Sequence, residues 1–146
     1  MFERLRAKID AHFHSSPLAT QRKDFLALKA DTPIEKKSHF TADVVGAAAA
    51  YEAFKAFERH EIHQGSKPTH ARAKEIVVGL AQGSAVRLIE EKNLPFASES
   101  QKQKFKANAQ LAATRDAKRA LRESGYYETH ELDAIDEDEK HGHKIM

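Results

Sequence analysis

The stretch from Thr41 to Lys92 reads TADVVGAAAAYEAFKAFERHEIHQGSKPTHARAKEIVVGLAQGSAVRLIEEK, and its spacing decides the fold. In the first half Gly46, Ala50, Ala53, Phe57 and His60 fall on one face, with Phe54 beside them. That periodicity predicts an amphipathic helix over about residues 41–63. Glu52, Lys55, Glu58 and Arg59 lie mostly off the stripe. In the second half His70, Ala73, Val77, Leu80, Ser84 and Leu88 repeat the pattern, with Ile76 adjacent, and predict a helix over about 69–92. Between them Gln64-Gly65-Ser66-Lys67-Pro68 is a compact break, with a glycine suited to end one helix and a proline suited to the first turn of the next. The expected result is a long antiparallel hairpin. Its inner faces are small: Gly46, Ala47 to Ala50 and Ala53 are set to oppose Gly79, Ala81, Gly83 and Ala85. Gly79 and Gly83 form a small-xxx-small pair, so close approach of the two backbones is expected.

Working outward, Asn93-Leu94-Pro95 stops the second helix, and a third begins at Ser98, whose capping box partner is Gln101. The third helix is predicted to run to about Ser124 and end at Gly125. Phe105, Ala109, Ala112 and Ala120 form its inner edge, and Arg115, Lys118, Arg119 and Arg122 form a basic outer stripe. Upstream, Phe2, Leu5, Ile9 and Phe13 mark a short helix that breaks before Pro17. A second short helix is predicted over 18–28, and 31–40 reads as a linker or irregular arm. The fold class is therefore all-α: a helical hairpin plus a third long helix in a bundle, with short N-terminal helices. Three parts are expected: an N-terminal helical arm (1–40), a helical core (41–125), and an acidic, His-bearing, mobile tail with little to bury (126–146).

Composition removes several classes of function. The chain has 146 residues, no cysteine and no tryptophan, which excludes disulfide scaffolds, zinc-thiolate sites, iron–sulfur clusters and thiol nucleophiles. Its longest charge-free central stretch, Ile76 to Val86, is far short of the roughly 20 apolar residues needed to cross a bilayer. A cytoplasmic location is the expectation. The formal charge of +2 conceals a strong asymmetry. Residues 98–124 carry 7 basic and 3 acidic groups, whereas 125–146 carry 2 and 7.

The run Ala48-Ala49-Ala50-Tyr51-Glu52-Ala53-Phe54-Lys55-Ala56-Phe57-Glu58-Arg59-His60 resembles the fungal CipC-like (concanamycin-induced protein C) proteins. Gly65, Pro68, the run from His70 to Glu75, Gly79-Leu80-Ala81 and Glu91-Lys92-Asn93-Leu94 follow in the same order. The likeness covers about residues 41–123. It implies a small intracellular fungal protein associated with stress or antibiotic response, and brings no settled biochemical activity.

Three constellations could carry chemistry. His60, His63 and His70 cluster around the predicted bend. The C-terminal end of one helix favours a protonated His60, and the N-terminal end of the next favours a neutral His70. With Glu58, Glu61 or Glu75 they suit a transition metal, and two of them suit a haem axial pair. The plainer role is a pair of polar plugs at the bundle end. Tyr51, Lys55 and Lys74, with Glu52 and Glu75, form a candidate ligand-binding rim, against the plainer role of solvated helix surface. The third constellation is the basic stripe. Nucleic-acid binding is disfavoured there, because the stripe is short and has no interleaved aromatic residues. The exception is the case in which the acidic tail folds back and masks Arg115, Lys118, Arg119 and Arg122, with Glu128, Glu131, Asp133 and Asp136 to Glu139 as the masking groups. The favoured function is non-catalytic: self-association into a homo-oligomer, or binding of a protein partner. The alternative is a metal-, haem- or small-ligand-binding protein, or an enzyme, built around His60 and His70.

Overall fold

A computed structural model describes residues 2–64 and 67–140, with side chains placed for 7–60 and 67–139. Among them there is no strand. The order is α1 (Phe2–His14), α2 (Ala19–Leu26), a 3-10 turn (Ile34–Lys36), α3 (Ala42–Gln64), α4 (His70–Glu91), α5 (Glu99–Glu123), a second 3-10 turn (Thr129–Glu131) and α6 (Glu137–Lys140). The three long helices α3, α4 and α5 pack against one another in every pairing, with α1 and α2 laid on α3. The expected bundle is present. The bend at Gly65 and Ser66 lies outside the described residues, but α4 returns along α3.

Local chemistry sets the boundaries. Thr41 Oγ1 accepts the Val44 amide at 3.3 Å, Thr69 Oγ1 accepts the Arg72 amide at 3.2 Å, and Ser98 Oγ accepts the Gln101 amide at 3.1 Å. Each satisfies a donor that the first turn of a helix leaves without a partner. Gln101 reaches back one residue further than a capping box requires, accepting from the Ala97 amide at 3.1 Å. Asn93 (φ 53) ends α4 and Gly125 (φ 78) ends α5, both left-handed, the conformation that closes a helix.

α3 is the central rod. Every residue from Val44 to Ala50 is buried, followed by Ala53, Phe54 and Phe57. The glycine that makes room for a neighbouring helix differs from expectation. Gly79 and Gly83 are exposed, and a Cβ added to either would meet nothing within 4 Å. The close approach occurs at Gly46, whose missing side chain makes room for Ala112 and Ala113 of α5. The buried line on α4 is His70, Ala73, Val77, Ala81, Ala85 and Leu88, because α4 faces both α3 and α5.

The N-terminal helices join the same core. Ile9, Phe13 and Phe25 are buried in it, with the Phe13 ring 5.5 Å from Tyr51 and the Phe25 ring 5.5 Å from Phe40. Buried or half-buried cations close the helix ends: Arg22 donates to the Phe13 carbonyl (2.9 Å), and Lys92 to the Leu26 (2.9 Å) and Leu28 (2.7 Å) carbonyls. Residues 126–139 differ from a tail with little to bury. Tyr126 and Tyr127 sit in the core, and Glu139 is only 5% exposed.

Candidate functional site

The most polar arrangement lies where the first turns of α4 meet the last turns of α5. Thr69 starts α4, so His70 and Lys74 share a face one turn apart. Lys118, Arg119 and Arg122 occupy the last turns of α5. Gly125 then redirects the chain, and Tyr126 and Tyr127 anchor it. The Tyr127 hydroxyl donates to the Pro68 carbonyl at 2.7 Å. Lys67 donates to the Tyr126 carbonyl at 3.0 Å and stands 4.5 Å over the Tyr127 ring. Thus anchored, the acidic segment passes over the cations.

The contacts are of two kinds. Carboxylates meet cations: Lys74 bridges Asp133 and Asp136 at 3.1 Å each, Lys118 bridges Asp136 (3.1 Å) and Asp138 (3.0 Å), and Arg122 meets Glu139 at 2.7 Å. The peptide backbone is held as well. Arg122 donates to the Asp133 carbonyl (2.7 Å) and Arg119 to the Glu139 carbonyl (2.6 Å). The Asp133 amide donates to His70 Nδ1 at 2.8 Å. Arg115 stands apart, paired with Asp43 at 3.5 Å.

The electrostatics follow from this geometry. Burial works against the Lys74 and Lys118 ammonium groups, but their carboxylate partners outweigh it and hold both above the ordinary lysine value. Hydrogen bonds from Lys74 hold Asp133 below the usual carboxylate range, and bonds from Lys118 and Lys74 do the same for Asp136. His70 is pushed below the ordinary histidine value, first by burial and then by Arg122 and Lys74, against the opposing pull of Glu139 and Asp133. A neutral ring whose Nδ1 accepts must carry its proton on Nε2, a buried atom with no hydrogen-bond partner.

The residues that the sequence offered as one rim are dispersed. Tyr51 and Lys55 line a cleft of about 310 Å³ between α1 and α3, together with Asp10, Glu58 and Arg59. There the Tyr51 ring lies 4.7 Å from the Arg22 guanidinium and 4.9 Å from the Lys55 ammonium. Lys74 belongs instead to the acidic-segment site. His60 and His70, expected on a common interior face, differ: His70 is 1% exposed, whereas His60 is exposed. Phe57 is the last buried residue along the described side chains of α3, and His60 lies one turn beyond it, where the helix has run past the core. The side chain of His63 lies outside the described residues. Among the described residues no group of three or more His, Asp or Glu is placed to hold a metal ion. No described helix is long and apolar enough to cross a membrane.

A family described as virulence factor CipC-like matches residues 27–123. The chain belongs to that family. The match takes in α3, α4 and α5 with their cationic face, and it stops before the acidic segment that covers that face. No curated protein and no solved structure matches the chain.

Proposed function

We propose that the chain acts without catalysis, as a stress- or virulence-associated protein that binds an acidic protein segment through the face of α4 and α5. The chain's own segment holds that face closed, and the same segment on a second copy is one natural partner, which makes self-association one form of the activity. The observation that carries this reading is the seating of residues 133–139 on Lys74, Lys118, Arg119 and Arg122, cations drawn from two helices. The resemblance to intracellular stress proteins is what supports a cytoplasmic location.

A segment tethered by a short connection acts at an effective concentration in the millimolar range, so the closed arrangement prevails until a partner competes or the lock is weakened. The test uses the full chain with the lock weakened by Asp133→Asn, Asp136→Asn, Asp138→Asn and Glu139→Gln. This variant is expected to bind polyglutamate at least about tenfold more tightly than the parent at low salt, with the difference shrinking as salt rises. Equal binding by parent and variant would contradict the reading. Capture of single-stranded DNA, with no response to polyglutamate, would replace it with a nucleic-acid function.

A further inference from the structure

The contacts beneath the acidic segment are not those of a simple cationic patch. Lys and Arg can pair with any anion, whether carboxylate or phosphate. His70 is different, because it is an acceptor placed among cations. Its Nδ1 takes a main-chain N–H at 2.8 Å, inside a wall formed by the Tyr127 ring, T-shaped at 5.4 Å. A phosphodiester chain has no N–H along its backbone to offer there. Seating a nucleic acid on this face would leave Nδ1, like Nε2, buried without a partner, or would force it to protonate beside Arg122 and Lys74. The guanidinium groups of Arg122 and Arg119 add contacts to the main-chain carbonyls of Asp133 and Glu139 in the same segment. Both polar groups of a peptide backbone are therefore read, one by an acceptor and one by donors.

We infer that this face is a peptide-reading site, in which His70 Nδ1 accepts a main-chain N–H from an acidic segment delivered in trans and so selects peptide over phosphate polymers of equal charge. The ligand class is an acidic peptide with carboxylates spaced as in Asp133, Asp136, Asp138 and Glu139 and with a non-proline residue at the position of Asp133. This rests on the reading of the face as an acidic-partner site and adds how the partner is recognised.

The experiment uses the full chain carrying the four amide substitutions given above, titrated with a fluorescent peptide of residues 126–140. An N-methyl group placed on the Asp133 amide of that peptide is expected to weaken binding about tenfold, whereas one on the Ile135 amide changes it little. His70→Phe, which keeps a ring against Tyr127 but removes the acceptor, should weaken the unmodified peptide by a similar factor. His70→Asn, whose Oδ1 falls near the position of Nδ1, should restore most of it. Single-stranded DNA of matched charge, which leaves that acceptor without a partner, should bind His70→Phe more tightly than the parent, the opposite of the peptide. Thermal melts of each variant show whether it is folded, and the methylated peptides carry the test independently of any change in the protein. Binding of the peptide that ignores both methylation and His70 would overturn the inference while leaving the acidic-partner reading standing. Absence of peptide binding altogether would remove both.

Discussion

At the crossing of α3 and α5, Gly46 stands directly against Ala112, and a Cβ built on Gly46 would also lie 2.8 Å from the Ala113 nitrogen. Neither neighbour is the movable end of a flexible side chain, so the helices themselves must shift. Gly46→Ala is expected to destabilise the fold by about 2–3 kcal/mol through overpacking. Gly79 and Gly83 sit in exposed helix with open space around them, so alanine there should stabilise by about 0.5–1 kcal/mol each through helix propensity. Urea unfolding of the three variants checks this; equal effects at all three positions would show that α3 and α5 do not meet at Gly46.

Asp116 on α5 makes no hydrogen bond or ion pair with the described residues, and burial pushes its carboxyl up to about 6, helped by Asp43 and opposed by Arg115 and Arg119. A raised carboxyl favours the protonated form in the native state. Its contribution to stability is therefore complete below 3.8 and is lost as pH rises from there to about 6. At neutral pH the charged group costs at most about 3 kcal/mol. Asp116→Asn should remove that part of the pH dependence and raise the midpoint of thermal unfolding at pH 7. A variant whose stability parallels the parent from pH 4 to 7 would show that Asp116 is freely hydrated.

His70 acts in the opposite direction. Its value is lowered below 6.5 by burial, Arg122 and Lys74, so the unfolded chain binds the proton more readily than the folded one. Stability from this group is present above 6.5 and is lost as pH falls through the lowered native value. Protonation also turns Nδ1 from an acceptor into a donor facing the Asp133 amide, so the acidic segment should loosen first. Limited proteolysis between residues 126 and 140 should accelerate as pH falls below 6.5 in the parent and show no such acceleration in His70→Asn. The same acceleration in both proteins would assign it to the carboxylates instead.

Lys92 donates to the Leu26 carbonyl at the end of α2 and to the Leu28 carbonyl just beyond it, and burial lowers its value. Lys92→Met keeps the bulk of the side chain but leaves the Leu26 and Leu28 carbonyls without those donors. A loss of about 1–3 kcal/mol is expected. Amide exchange in α2 should rise more than in α5, and a uniform rise across both would refute a local capping role.

The hairpin was legible because Gly65 and Pro68 punctuate two periodic runs, and Ser98 announces the third helix by side-chain chemistry. Which small residue meets which was not, because periodicity loses contrast where every face carries Ala or Gly; Gly46 and Gly79 look alike on paper and differ entirely in surroundings. His60 and His70 were equivalent by stripe position, and only the end of the core between them tells them apart. Charge alone pointed the acidic residues at the stripe, but it could not say that Arg115 pairs with Asp43 and Glu131 with Lys67 instead; the anchoring by Tyr126 and Tyr127 could have been suspected from two adjacent aromatics after the terminating Gly125. Arg22 and Lys92 cap carbonyls from other parts of the chain, a relationship that leaves no spacing to read.

The most direct test of the closed face is hydrogen exchange at a single amide, that of Asp133, in the full chain at neutral pH. The bond to His70 Nδ1 predicts protection of at least about tenfold over the unstructured rate, abolished by His70→Phe. Exchange at the unstructured rate in the parent would mean that the segment does not rest on α4 and α5, and the masked binding face would fall with it.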